Sequence, residues 1–227
     1  MELYNEESPI QEVSTNSILT NTFFRMFLGL IASAITAFYA LYSGAYYNII
    51  MSGGYYFLAI AEVAVVFVFS LFFRKLSPTV VTILYFGYAF LNGFTLSILF
   101  LAYTLSSICY SFVGTALLFG VLAFIGYKTD KDLSNWSTIL FGTLITGLIL
   151  TIFNIFIGST ILETILDLVI LFIFFGLTIY DTNKIRIMHE QGFCDEEKLY
   201  VYGAMELYLD FINIFLRILS LFGKRRK

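Results

Sequence analysis

The stretch AVVFVFSLFF, residues 64–73, decides the fold. A membrane-spanning strand alternates apolar and polar residues, and a transmembrane barrel is built from segments of about ten such residues. This stretch is apolar at every step except Ser70. Backbone groups in lipid must find their partners within the protein, and for a continuous apolar run that leaves the α-helix. Working outward, residues 64–73 lie in a longer run near Tyr55–Phe73. Six more runs of the same kind follow its pattern, near Phe24–Ser43, Thr79–Tyr103, Cys109–Tyr127, Trp136–Gly158, Leu162–Tyr180 and Leu199–Leu219.

Composition agrees with that reading. The chain is 59% hydrophobic and 13% charged, with mean hydropathy +0.86, where soluble domains carry about a quarter charged residues. At about 20 residues per span, the 227 residues accommodate roughly seven helices joined by short loops. The expected organisation is a polar cytoplasmic segment over 1–22, a seven-helix transmembrane domain over 23–223 and a basic tail over 224–227. The first segment carries Glu2, Glu6, Glu7 and Glu12 and lacks the basic start of a cleavable signal, so insertion is expected to rely on the spans. Gly87, Gly93, Gly142, Gly147, Gly176 and Gly203 are expected to let helices approach closely.

Lysine and arginine in short loops set orientation. Arg25, then Arg74 and Lys75, then Lys128 and Lys131, then Lys184, Arg186 and Lys198 fall on alternate sides. That asymmetry places the N-terminus in the cytoplasm of a cell membrane. An odd span count then puts the tail Lys224-Arg225-Arg226-Lys227 outside, against the same rule; the alternative is a re-entrant last helix.

The last run reads LYVYGAMELYLDFINIFLRILSLFG, residues 199–223. Glu206, Asp210, Asn213 and Arg217 recur at steps of four, three and four, which places them on one helix face. A charge at the bilayer centre costs at least about 2.5 kcal/mol, so such a stripe calls for protein, a proton or a water-filled cavity beside it. Asp181 ends the preceding run. On its own it reads as an interfacial or capping group, but the expected topology brings it near Asp210. Two carboxylates a few ångströms apart in low dielectric do not both ionise easily, and such a pair holds a shared proton. Glu163 and Asp167 read either as interfacial groups or as cavity lining, and Arg217 as a side chain snorkelling outward. The stripe Tyr88–Asn92–Thr95 reads as a path lining or as interhelical hydrogen bonding.

Several chemistries are disfavoured. One histidine, His189, and two separated cysteines, Cys109 and Cys194, do not make a tetrahedral metal site. There is no HExxH for a metalloprotease, and no lysine in the last run to hold retinal as a Schiff base. Paired aspartates alone do not make a protease. The protein is expected not to be an enzyme, and nucleic acid is not an expected partner.

The segments NGFTLSILFLAYT (92–104), GYKTDKDLSNW (126–136), IYDTNKI (179–185) and LYLDFINIFLRILSLFG (207–223) resemble the Bax inhibitor-1 family, in its short-looped bacterial branch. The resemblance covers Phe23 to Gly223 with the motifs in order. It implies a seven-helix fold whose last helix is surrounded by the other six. It also implies a pH-sensitive calcium leak, with Asp181 and Asp210 as the pH-sensing aspartate pair and Glu62 as an ion-pathway residue. Glu206 and Asn213 join that pathway by sharing the polar face of Asp210. A basic residue at the end of the second span is thought to latch onto the pair, and Arg74 is the nearest candidate. Asp181, Asp210 and Glu62 would then offer transient oxygen ligands to Ca²⁺ as the permeant ion, with no resident cofactor. The expected partners are the bilayer, calcium ions and protons. The alternative is a regulatory membrane protein acting through membrane protein partners, in stress tolerance or control of membrane proteases.

Overall fold

The structure, a computed structural model, describes residues 15–226. The N-terminal acids Glu2, Glu6, Glu7 and Glu12, and Lys227 of the tail, lie outside the described residues. Among the described residues nine helices follow one another: α1 (Thr15–Ser43), α2 (Ala45–Met51), α3 (Gly54–Phe72), α4 (Pro78–Leu96), α5 (Leu99–Ala102), α6 (Leu105–Lys128), α7 (Ser134–Ile157), α8 (Thr160–Glu190) and α9 (Glu196–Phe222). No strand occurs among the described residues. Six helical stretches of the described residues are long and apolar enough to cross a membrane, in α1, α3, α4–α5, α6, α7 and α8.

Local chemistry sets the helix ends. Ser77, Thr104 and Ser159 precede α4, α6 and α8, and each side chain accepts a backbone N–H three residues on, satisfying a donor the helix leaves free. Pro78 occupies the first turn of α4, where no N–H is needed. Gly158 ends α7 at φ 68°, a left-handed conformation that glycine adopts without a Cβ clash.

Three runs differ from the sequence reading. The run expected from Phe24 already begins at Thr15 as α1, inside the segment read as polar. The run expected over Thr79–Tyr103 breaks between α4 and α5 at Ser97. Ser97 is fully buried and its Oγ donates to Phe94 O at 2.6 Å, a back-bond of the kind that bends helices. The run expected to stop at Tyr180 continues to Glu190 as α8. Its charged extension is paired: Lys184 with Glu206, and Arg186 with Glu190 one turn away and with Thr129 O.

α9 packs against α1, α4, α6 and α8. Tyr208, Leu207 and Ile214 of α9 are wholly buried, together with Tyr85 of α4 and Ile170 of α8. Tyr202 of α9 also meets the rings of Phe69 and Phe73 in and just after α3. α3 packs on α4, and α7 on α8. Phe67, Leu71, Ile155 and Phe156 on those two helices point outward, the surface expected of residues that face lipid.

Close approach depends on two glycines above all. A Cβ on Gly93 would stand 2.7 Å from Thr36 Cβ and 3.0 Å from Ser33 Cα, and one on Gly126 would stand 2.9 Å from Thr182 Cβ. These are the places where α4 meets α1 and α6 meets α8. Of the glycines expected to serve this purpose, Gly87 and Gly142 have nothing within 4 Å of such a Cβ, so they do not bring helices together.

Candidate functional site

A five-residue connection over 191–195 joins α8 to α9, and so short a link makes the two helices antiparallel neighbours. The polar stripe of α9 faces α8. Lys184 Nζ donates to Glu206 Oε2 at 2.7 Å, Asp210 meets Asp181, and Arg217 Nη1 donates to Asp167 Oδ1. Ser220 Oγ donates to the other oxygen of Asp167. Asn213 is the exception: its Nδ2 donates to Leu209 O of its own helix at 2.8 Å. Arg217 therefore does not snorkel outward; a buried carboxylate on α8 holds it inside.

The centre of the site is a cluster of three carboxylates. Asp181 and Asp210 are each 3% exposed, and Asp181 interacts with both Asp210 and Glu206. Lys184 is the cation of the cluster, one helical turn from Asp181 and 3.7 Å from its Oδ1. Its ammonium also lies 4.9 Å from the centre of the Tyr202 ring. Asp181 Oδ1 and Asp210 Oδ2 are buried without a hydrogen-bond partner. Three carboxylates against one ammonium leave an excess of negative charge where water is scarce, so protons or a further cation must meet it. A cavity of about 540 Å³ adjoins the cluster, lined by Lys184, Tyr180, Asn183, Tyr202, Arg74 and Asp132.

Glu62 stands apart from this cluster. Its Oε1 accepts from Thr95 Oγ1 at 2.6 Å, and Asn92 hydrogen-bonds to it as well. Tyr208 OH donates to Asn92 Oδ1 at 2.9 Å and lies 2.6 Å from Ser33 Oγ. Asn92 and Thr95 thus serve interhelical hydrogen bonds, linking α3, α4, α9 and α1. Glu62 and the two aspartates do not gather into one calcium-ligating set. Among the described residues, no group of three or more His, Cys, Asp and Glu side chains is placed to hold a metal ion. Arg74 also lies elsewhere than expected: its guanidinium sits 4.4 Å over the Phe193 ring, and its carbonyl accepts from Lys198 Nζ at 3.0 Å. It shares the cavity with Lys184, but the ion pairs to the cluster are made by Lys184. Glu163 occupies the first turn of α8, where an acid suits the positive end of the helix dipole.

Sequence reasoning missed Lys184 because it ended the sixth run at Tyr180 and counted the lysine as a loop charge. The signal was present: a helix carried through IYDTNKI puts residues 181 and 184 on one face.

The family described as "Inhibitor of apoptosis-promoting Bax1" matches residues 15–227. The chain belongs to this family, the Bax inhibitor-1 family. Its similarity to bacterial members runs along most of both chains. It is 39% identical to the "Inner membrane protein YbhL" of Escherichia coli over 88% of each chain. It is 36% identical to an uncharacterized protein of Deinococcus radiodurans over 74% of each, and 33% identical to one of Borreliella burgdorferi over 93% of each. With six apolar helices among the described residues and such relatives, this Bax inhibitor-1 family member is a multi-pass membrane protein.

Proposed function

We propose that the protein is a pH-sensitive calcium leak channel of a cell membrane, gated by Asp181 and Asp210 sharing a proton. The observation that carries this reading is the pair of buried aspartates on adjacent helices, each with an oxygen lacking a hydrogen bond, beside Glu206 and one ammonium. In this reading α9 is a seventh span at the centre of the bundle, the N-terminus is cytoplasmic and the cluster faces the cytoplasm. α9 starts beside Arg74, through Lys198, and ends beside Thr104, at opposite ends of the α4–α5 run, which supports crossing over re-entry.

The gate works by charge balance. With both aspartates ionised, Lys184 is held against Asp181 and Glu206, and α8 stays closed on α9. A proton on the pair weakens the hold on Lys184, and its ammonium swings into the 540 Å³ cavity. The freed oxygens of Asp181 and Glu206 then offer hard ligands to Ca²⁺ in passage, with Glu62 as a separate station further along. Lys184 takes the closing role in place of Arg74.

Proteoliposomes loaded with a calcium dye test this directly. Acidification of the cytoplasmic face is expected to raise Ca²⁺ flux, and Asp181→Asn and Asp210→Asn are each expected to flatten that response. A pH profile left unchanged in both variants removes the proposal.

A further inference from the structure

The residues after α9 are fastened to the bundle. Thr104 N donates to Lys224 O at 3.1 Å and Arg226 N to Ala102 O at 2.9 Å, around an antiparallel bridge between Tyr103 and Arg225. Lys224 N donates to Ser107 Oγ at 2.9 Å, and Arg226 Nη1 to Phe100 O at 2.8 Å. Three exposed cations, Lys224, Arg225 and Arg226, are thereby fixed at the end of the bundle away from the carboxylate cluster. None of the ion pairs among the described residues involves them.

Beside this tail lies an apolar cavity of about 300 Å³ between α1, α5, α6 and α9, with Leu30, Phe38, Leu105, Phe112 and Phe215 in its walls. Phe38 and Phe112 are exposed on the lipid-facing side. Phe100 belongs to both features: its side chain lines the cavity while its carbonyl accepts the guanidinium of Arg226. The apolar slot and the fixed positive charge are therefore one continuous surface.

We propose that this surface is a binding site for an anionic phospholipid, with the phosphate against the tail cations and one acyl chain in the groove. A groove bathed in lipid holds any acyl chain about as well as bulk lipid does, since apolar contact is no scarcer outside it. Discrimination must come from the headgroup. Each interfacial Lys or Arg raises affinity for an anionic lipid roughly five-fold. Lys224 and Arg225 keep their charged groups free of the protein contacts named above, whereas Arg226 shares its guanidinium with Phe100 O. Two such cations together give a preference of about twenty-five-fold over a neutral lipid of equal chains.

Native mass spectrometry of the full chain in neutral detergent reads this out, with dioleoyl phosphatidylglycerol set against dioleoyl phosphatidylcholine. The wild type is expected to retain one phosphatidylglycerol with about that preference. K224Q/R225Q alters only exposed side chains and is expected to bind both lipids equally. Ala34 of α1 also lines the groove, and Ala34→Trp, filling it, is expected to lose both. Equal retention of the two lipids by the wild type, or a preference that survives K224Q/R225Q, overturns the site. Retention of phosphatidylglycerol by a folded Ala34→Trp variant overturns the groove as its seat.

Discussion

Lys184 and Glu206 form an ion pair of 2.7 Å across the α8–α9 interface, with side chains 24% and 20% exposed. The same ammonium stands 3.7 Å from Asp181, so one cation serves two carboxylates. Removing it strands both.

Lys184→Met is therefore expected to destabilise the protein by about 2 kcal/mol, below the cost for fully buried pairs because both groups keep some water. Adding Glu206→Gln should recover part of the loss, since the orphaned charge goes with it. Thermal unfolding in detergent measures both. A double variant no more stable than Lys184→Met would show that the pair is not the source.

At the other end of the helix pair, Arg217 binds a carboxylate that is only 7% exposed. Arg217→Leu should cost about 3 kcal/mol by leaving Asp167 charged with only the Ser220 hydroxyl as partner. The double replacement Asp167→Leu with Arg217→Leu should cost less than the single one, because an apolar pair needs no partner. Unfolding midpoints of the two variants decide the matter, and additive losses would contradict the pairing.

Two glycines on α4 should behave oppositely. Gly93→Ala forces a methyl against Thr36 and the α1 backbone and is expected to cost about 1–3 kcal/mol. Gly87→Ala meets open space and should be neutral or stabilising by up to about 1 kcal/mol. Equal midpoints for the two variants would argue against close packing of α1 on α4.

Outside the spans, Asp132 accepts from Ser134 N at 2.8 Å and from its hydroxyl, and these bonds hold its carboxyl below the ordinary aspartate value. The folded value is thus the lower one. The stabilisation is present in full above the unfolded value of about 3.9 and disappears as pH falls through the folded one. A carbon-13 titration should find Asp132 below other exposed aspartates, and Ser134→Ala should move it upward. A midpoint unmoved by that change would assign the shift elsewhere.

Much of the fold could be read from composition, because length and hydropathy alone identify a bilayer-spanning run. The sequence was least informative where polar residues were satisfied by other helices or turned back on their own. The run over Thr79–Tyr103 has no proline or charge to mark its break; the break comes from Ser97 turning its hydroxyl back on the helix. α8 looked finished at Tyr180 because charge begins there, yet Asp181, Lys184 and Arg186 each find partners that let the helix continue. Glu206, Asp210 and Arg217 were recognisable as a stripe from their spacing. That the stripe meets Lys184, Asp181 and Asp167 depended on the register between two helices, which no single helix's periodicity contains. Glu62 was legible as an acid inside a span, but its separation from the aspartates depends on which face of α9 each side meets.

The two ion pairs on α8 and α9 also have a mechanical meaning. Sliding one helix past the other by a turn displaces it by about 5.4 Å, which would pull Lys184 from Glu206 and Arg217 from Asp167 at the same moment. Tilting α1 or α3 away breaks neither pair. The hairpin therefore resists sliding by a whole turn, and an opening at the Lys184 end leaves the Arg217–Asp167 pair in place as its pivot.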